Sequence, residues 1–221
     1  MPYRRTENVT RRLAARHAAI IAAARQAASE GGMAAVQIAP VAARAGIAAG
    51  TVYRYFPGKT ELVAALLAEI SEREVKALRA AAAVAPGPLS ALAATIMTFA
   101  LRALRERRLI FAALAEPVDA ALDAARLSFR EALAAEFSAR IAAAIAGHHL
   151  PEQNTALAGT ALLGLFIEGL IGPLAPDATN RARDAVQTIA LLALRALGIA
   201  DALARGLVVQ TALPADAPSR E

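Results

Sequence analysis

Cysteine and tryptophan are both missing from this 221-residue chain, and tyrosine occurs only three times. Without cysteine there can be no disulfide and no thiolate metal site, which suits a reducing compartment. Aromatics amount to 4% of residues. There are few long β-branched runs, no alternating apolar and polar stretch and no Asn-Gly hairpin signal, so no sheet is expected. An uncharged apolar run of about 18 residues, the minimum for a membrane span, is also missing. Residues 153–167 lack charge but are too few, and residues 80–101 are broken by Pro86, Gly87 and Pro88. No apolar block with a cleavage site follows Arg4, Arg5, Arg11 and Arg12, so the N-terminus does not read as a secretory signal. The expectation is a soluble, cytoplasmic protein with no membrane partner.

Catalytic chemistry is equally scarce. The three histidines are His17 and the adjacent pair His148 and His149, and neighbours on a helix cannot grip one ion as an i, i+4 pair does. The pair, following Gly147, is expected in a loop or at the surface. Neither a G-x-S-x-G elbow nor an H-E-x-x-H helix occurs. Gly58-Lys59-Thr60 copies the end of a phosphate-binding loop, but the required first glycine is Tyr53 and a helix, not a strand, precedes it. Glu116, Asp119 and Asp123 surround Pro117 and read as helix-terminus charges. No catalytic residue, metal or cofactor is therefore expected, and the chain does not read as an enzyme.

What the chain does have is alanine, and 57% hydrophobic residues overall, a composition that favours helices. It also has lopsided charge. The net charge is +5, yet residues 1–59 alone carry nine Arg or Lys (Arg4, Arg5, Arg11, Arg12, Arg16, Arg25, Arg44, Arg54, Lys59) against Glu7 and Glu30. A basic first quarter on a near-neutral body points to a polyanion at one end, bound through release of its counterions.

Helical periodicity runs from Arg11 to Glu30, with Leu13, Ile20, Ala24, Ala27 and Ala28 on one face and Gly31 and Gly32 as the stop. A short helix over 38–45 buries Ile38, Val41, Ala42 and Ala45, with Pro40 tolerated in its first turn. Gly46 follows, then a third helix over 48–56 with Val52 and Phe56 inward, halted by Pro57 and Gly58. Two short helices joined by a turn containing glycine make a helix-turn-helix, whose second helix fits the DNA major groove. Further helices are expected over 59–83, 88–106, 108–115, 118–146, 152–172 and 178–197. The fold class is all-α: an N-terminal three-helix bundle with the helix-turn-helix (1–60), a C-terminal helical ligand-binding and dimerisation domain (61–200), and a flexible tail (201–221).

The run from Val41 to Ile47, with Gly46 before Ile47, and the run Gly50-Thr-Val-Tyr-Arg-Tyr-Phe-Pro-Gly-Lys-Thr-Glu-Leu62 resemble the TetR family of bacterial regulators. Ile20, Ile21, Ala23, Ala24 and the stop Glu30-Gly31-Gly32 fall in the family's register. The resemblance is close over residues 11–62 and otherwise rests on helix number and length. It implies DNA contacts at Thr51, Tyr53, Tyr55 and Lys59, and core roles for Val52 and Phe56. The side chains agree, since a hydroxyl, two phenols, and the Arg54 guanidinium within about a turn and a half can reach phosphates and base edges. Lys59 opens the next helix, where its ammonium and the helix dipole both favour a phosphate. Gly50 allows close approach to the duplex. The family often opens the recognition helix with Ser or Thr followed by a polar residue. Here Ala48 and Ala49 stand there, and Gln37, Ile38 and Ala39 open the second helix. Base reading then falls to Gln37, Thr51, Tyr53 and Arg54, with methyls such as Ala49's against thymines.

Five of the six phenylalanines lie beyond residue 60, among helices that can enclose an apolar effector. Candidate effector contacts are Thr95, Thr98, Arg102, Phe111, Glu116, Arg126, Phe129, Phe166 and Glu168. Glu168 stands out within an apolar segment, because a buried carboxylate is costly without a partner. By the resemblance, the helices near 152–172 and 178–197 pair with their copies in a homodimer, with Leu162, Leu165, Val186, Ile189 and Leu194 available for burial. Two recognition helices then grip a palindromic operator, its half-sites about 34 Å or a multiple apart. An effector that prefers one arrangement of the dimer releases a repressor from DNA. The alternative is a helical carrier of apolar small molecules without DNA binding, against which stand the basic first quarter and the run from Gly50 to Leu62.

Overall fold

The computed structural model describes residues 3–117, 119–177 and 181–212, with side chains from residue 8 onward, and among these residues every regular element is helical. Ten α-helices follow in order: α1 (Tyr3–Gly31), α2 (Ile38–Arg44), α3 (Ala49–Tyr53), α4 (Lys59–Ala83), α5 (Pro88–Arg105), α6 (Arg107–Leu114), α7 (Asp123–Ala146), α8 (Thr155–Phe166), α9 (Ala182–Ala196) and α10 (Asp201–Gln210). The chain divides into two compact units. One comprises residues up to Ile70 with Arg108–Phe129; the other comprises Ser71–Arg107 with the residues from Arg130 onward.

In the first unit α1, α2 and α3 close around Ile20, Ala24, Ala28, Val41 and Val52, all at most 2% exposed. The turn between α2 and α3 works because Gly46 adopts φ 67°, a left-handed conformation that glycine enters at no steric cost. It lets the Gly46 and Ile47 N–H groups bond back to the Ala43 and Ala42 carbonyls. Helix α1 begins at Tyr3, eight residues before the expected Arg11, because Arg4, Arg5 and Glu7 are good helix formers that can continue a helix already nucleated on its buried half.

The second unit is built on α5, α8, α9 and α10 with the later part of α7. Its centre is an aromatic trio: Phe99 lies 5.8 Å from Phe137 and 5.1 Å from Phe166, both edge to face, and Phe137 stacks on Phe166 at 5.5 Å. Helix α8 starts where the Asn154 side chain accepts the Leu157 N–H at 3.0 Å, three residues inside the expected 152. It ends in a π-helical turn, Ile167–Ile171, and the Arg107 guanidinium donates to the Ile171 and Gly172 carbonyls that this turn leaves open, at 3.1 and 2.8 Å. Leu162, Val186, Ile189 and Leu194 are buried within their own chain, which corrects the expectation that they wait for a symmetry mate.

Two boundaries and one tail need correcting. The helix expected over 118–146 begins at Asp123 after a 3-10 turn, Ala120–Leu122, where the Asp119 carboxylate accepts the Ala121 N–H; residue 118 lies outside the described residues. The helix expected over 178–197 is α9 from Ala182, with 178–180 likewise outside. Of the flexible tail expected over 201–221, residues 201–210 form α10, burying Ala204, Leu207 and Val208. Asp201 ties it down through ion pairs with Arg195 and Arg205. A three-residue apolar stripe interrupted by Gly206 is weak sequence signal, and tertiary burial decides it; residues 213–221 lie outside the described residues.

Candidate nucleic-acid interface

All eight residues expected at DNA lie in the first unit. Val52 and Phe56 are 0% and 4% exposed and pin the end of the helix-turn-helix to the core. From that anchor Tyr53, 54% exposed, and Arg54 turn outward, as do Gln37, Gly50 and Lys59, while Ala49, Thr51 and Tyr55 are half-buried. Ala48 supplies no side-chain cap to α3, as expected of alanine. The Gln37 amide folds back onto the Ala34 carbonyl at 2.9 Å, so it must let go before it can reach a base. Around Gly50 a Cβ would meet nothing within 4 Å. Nothing inside the chain therefore requires glycine there, although glycine in a helix costs about 1 kcal/mol against alanine.

Two residues not among the sequence candidates shape this surface. His17 on α1 sets its ring 5.1 Å from Phe56 and 6.4 Å from Tyr55, bracing the end of the recognition segment. Its sequence signal was its place three residues before Ile20 on the same helical face. Glu30 at the end of α1 takes both Nη groups of Arg44 at 2.7 Å, so Arg44 is a staple between α1 and α2. Those hydrogen bonds hold the Glu30 carboxyl below its ordinary range. The pair is thus formed at neutral pH and opens only as the pH falls through that lowered value.

The loop after α1 is locked from the other segment of the same unit. Gly32 stands at φ 73°, ψ −170°, a region essentially restricted to glycine. Next to it the Glu116 carboxylate accepts the Met33 N–H at 3.0 Å and pairs with Arg108 at 2.5 Å. A Cβ on Gly32 would collide with both charged groups. The variant Gly32→Ala is expected to lose about 1–3 kcal/mol of stability, visible as a melting temperature lower by several degrees, with operator affinity falling alongside. An unchanged melting curve would contradict this packing.

The nine effector candidates do not fall in one unit. Phe111, Glu116, Arg126 and Phe129 belong to the first and Thr95, Thr98, Arg102, Phe166 and Glu168 to the second. Several polar groups already have partners: Thr95 donates to the Ala91 carbonyl at 2.8 Å, Arg126 to the Glu116 carbonyl and Asp123 at 2.6 Å each, and Arg102 grips Glu74 at 2.7 and 2.8 Å. Glu168 is exposed on the π-helical turn, so the premise that it is a buried lone carboxylate is corrected. Phe129 and Phe166 are 1% and 0% exposed. His148 and His149 are exposed after α7. Among the described residues no helix is long and apolar enough to cross a membrane.

Residues 20–66 match the family model described as bacterial regulatory proteins, tetR family. Over 46 residues the chain is 54% identical to the HTH-type transcriptional repressor KstR of Rhodococcus jostii, covering 21% of this chain and 22% of that protein. It is 53% identical over 57 residues to KstR of Mycobacterium tuberculosis, 25% and 26% of the two chains. The matched stretch thus spans about a quarter of these relatives' length. Among solved structures, RolR in complex with resorcinol superposes with a TM-score of 0.66 at 23% identity over 93% of this chain and 98% of the other. FadR of Bacillus subtilis in complex with stearoyl-CoA gives 0.64 at 18% identity over 77% and 96%. These likenesses carry the whole helical fold, beyond the conserved-length reach of the family model.

Proposed function

We propose that the chain, whose residues 20–66 match the model of the tetR family of bacterial regulatory proteins, is a transcriptional repressor of that family that leaves its operator when a small, largely apolar effector binds. The observation that carries this reading is the outward face of the helix-turn-helix: Tyr53 and Arg54 exposed beside a glycine, Gly50, that nothing within the chain demands. Thr51, Tyr55 and Lys59 hold phosphates, and Tyr53, Arg54, Gln37 and Ala49 meet base edges. Its place of action is the cytoplasm, where the operator is.

A homodimer supplies the second recognition helix. Helix α8 carries no charged residue on any face, and the side away from its core shows Leu157, 67% exposed. Beside it α9 offers Leu192, 53% exposed. Between the two runs a groove of about 300 Å³ lined by the apolar Leu165, Leu170 and Leu192 and by the charged Asp177, Arg181 and Asp184. An uncharged helix face of this kind is normally covered, and a second copy across a two-fold axis covers it with the same surface. Within the second unit, Thr98 is the effector candidate whose hydroxyl has no hydrogen-bond partner among the described residues, and it orients the effector.

The test is a pull-out of genomic DNA fragments by the purified protein, with Tyr53→Ala as control. Wild type is expected to enrich one short palindrome, and the variant to bind it at least tenfold more weakly, about 1–3 kcal/mol. Equal enrichment by both proteins, or none by either, sinks the repressor reading and leaves the apolar-ligand carrier as the reading to pursue.

A further inference from the structure

Helix α1 is far longer than the helix-turn-helix needs. Its buried face begins at Ile20, which is also where the family match begins, yet the helix extends back to Tyr3. Residues 8–19 are exposed without exception. At 1.5 Å per residue, positions 3–19 make an arm about 25 Å long. The arm continues the stripe that Ile20, Ala24 and Ala27 bury, but there Val9 and Leu13 are 53% and 52% exposed. At its base His17 rests on the Phe56 and Tyr55 rings. Packing within the chain therefore does not explain the arm.

Its charge does. Positions 3–19 hold five arginines, Arg4, Arg5, Arg11, Arg12 and Arg16, against the single acid Glu7. Arg12 and Arg16 are one helical turn apart, with Val9 and Leu13 beside them on the same side. Among the described residues no carboxylate bonds to Arg11, whose guanidinium donates to the Asn8 amide oxygen at 2.9 Å. Contrast Arg44, which is spent on Glu30. The arm leaves the body beside Tyr55, at the end of the recognition segment, so it is continuous with the surface assigned to the operator.

We infer that this arm is a second DNA contact: Arg11, Arg12 and Arg16 neutralise backbone phosphates flanking the half-site, extending the footprint outward without reading sequence. The inference rests on the operator reading above. Each phosphate neutralised by a cation releases counterions and adds about 0.9 to the salt slope of log K on duplex DNA, and phosphate contacts position a protein without specifying bases.

The experiment compares wild type with the triple variant Arg11→Gln, Arg12→Gln, Arg16→Gln by fluorescence anisotropy on the operator, at four salt concentrations. One duplex carries about ten base pairs of flank on each side, and the other is trimmed to the palindrome. Since all three positions are exposed, the variant keeps its fold, which its helical circular dichroism and melting curve check. On the long duplex the variant is expected to bind tenfold or more weakly at low salt, with a slope shallower by about two to three per protomer, while on the trimmed duplex the proteins match. Equal slopes and affinities on the long duplex overturn the arm contact and leave operator binding standing. Equal losses on both duplexes also overturn it, since the residues then act through the helix-turn-helix. If wild type binds neither duplex, the operator reading itself has failed.

Discussion

Phe137→Ala is expected to cost about 3–5 kcal/mol of stability. Phe137 is 0% exposed, and its ring touches both other members of the trio, Phe99 at 5.8 Å and Phe166 at 5.5 Å. Truncation removes the ring's own burial, leaves a cavity among three helices, and loses two aromatic pairings worth about 0.5–1.5 kcal/mol each. Against a total of about 5–15 kcal/mol for a typical domain, the remainder is thin. Urea unfolding followed by circular dichroism should show the midpoint falling with little change in slope. Phe137→Leu, which keeps most of the volume, should cost much less. If alanine and leucine unfold at the wild-type midpoint, the trio is not the packed centre described above.

A comparable loss, about 3 kcal/mol, is expected for Glu74→Leu. The Glu74 carboxylate is 1% exposed and takes two hydrogen bonds from Arg102 and a 3.2 Å contact from Arg73, which also grips Glu106 at 2.7 and 3.0 Å. Removing the acid strands Arg102 as a half-buried cation. The loss lies at the low end for a broken buried pair because the Arg102 side chain, 31% exposed, can turn toward water. The hydrogen bond to Glu74 raises the Arg102 guanidinium above its ordinary value while burial opposes it, so the cation stays charged at any working pH. The double variant Glu74→Leu, Arg102→Met removes both charges and should recover most of the loss. A double variant as unstable as the two single losses added together would show that the pair contributes nothing by mutual neutralisation.

Much of the helical order is legible in the sequence. Helix α4 falls on the expected 59–83, and α5 and α6 end within a residue of expectation, because Pro57, Gly58, Pro86 to Pro88 and Pro117 punctuate the chain in ways local sterics enforce. The recognition segment was legible too: Val52 and Phe56 are spaced to bury together and leave Tyr53 and Arg54 outside. The early start of α1 and the whole of α10 were not. An exposed arginine-rich helix has no apolar period to announce it, and α10 owes its order to burial against α5 and α9 and to Asp201's two arginine partners.

Side-chain commitment was the harder question, and the candidates illustrate why. Thr95, Arg102 and Arg126 have the chemistry of ligand contacts, but each had found a partner on its own or a neighbouring segment. Glu116, expected to meet an effector, instead holds the Met33 N–H and Arg108. Sequence spacing gives the face on which a residue lies, and cannot say which charge from 83 positions away will meet it.

By itself, then, the sequence determined the all-helical class, the basic N-terminal quarter and the helix-turn-helix with its outward Tyr53, since these depend on periodicity, punctuation and charge within short windows. Only the tertiary structure decided that α1 projects as an exposed arm, that Glu74 rather than an effector occupies Arg102, that Gly32 is fixed by an ion pair, and that residues 201–210 fold. Those outcomes depend on which distant groups share a low-dielectric interior, and that is a property of the closed chain.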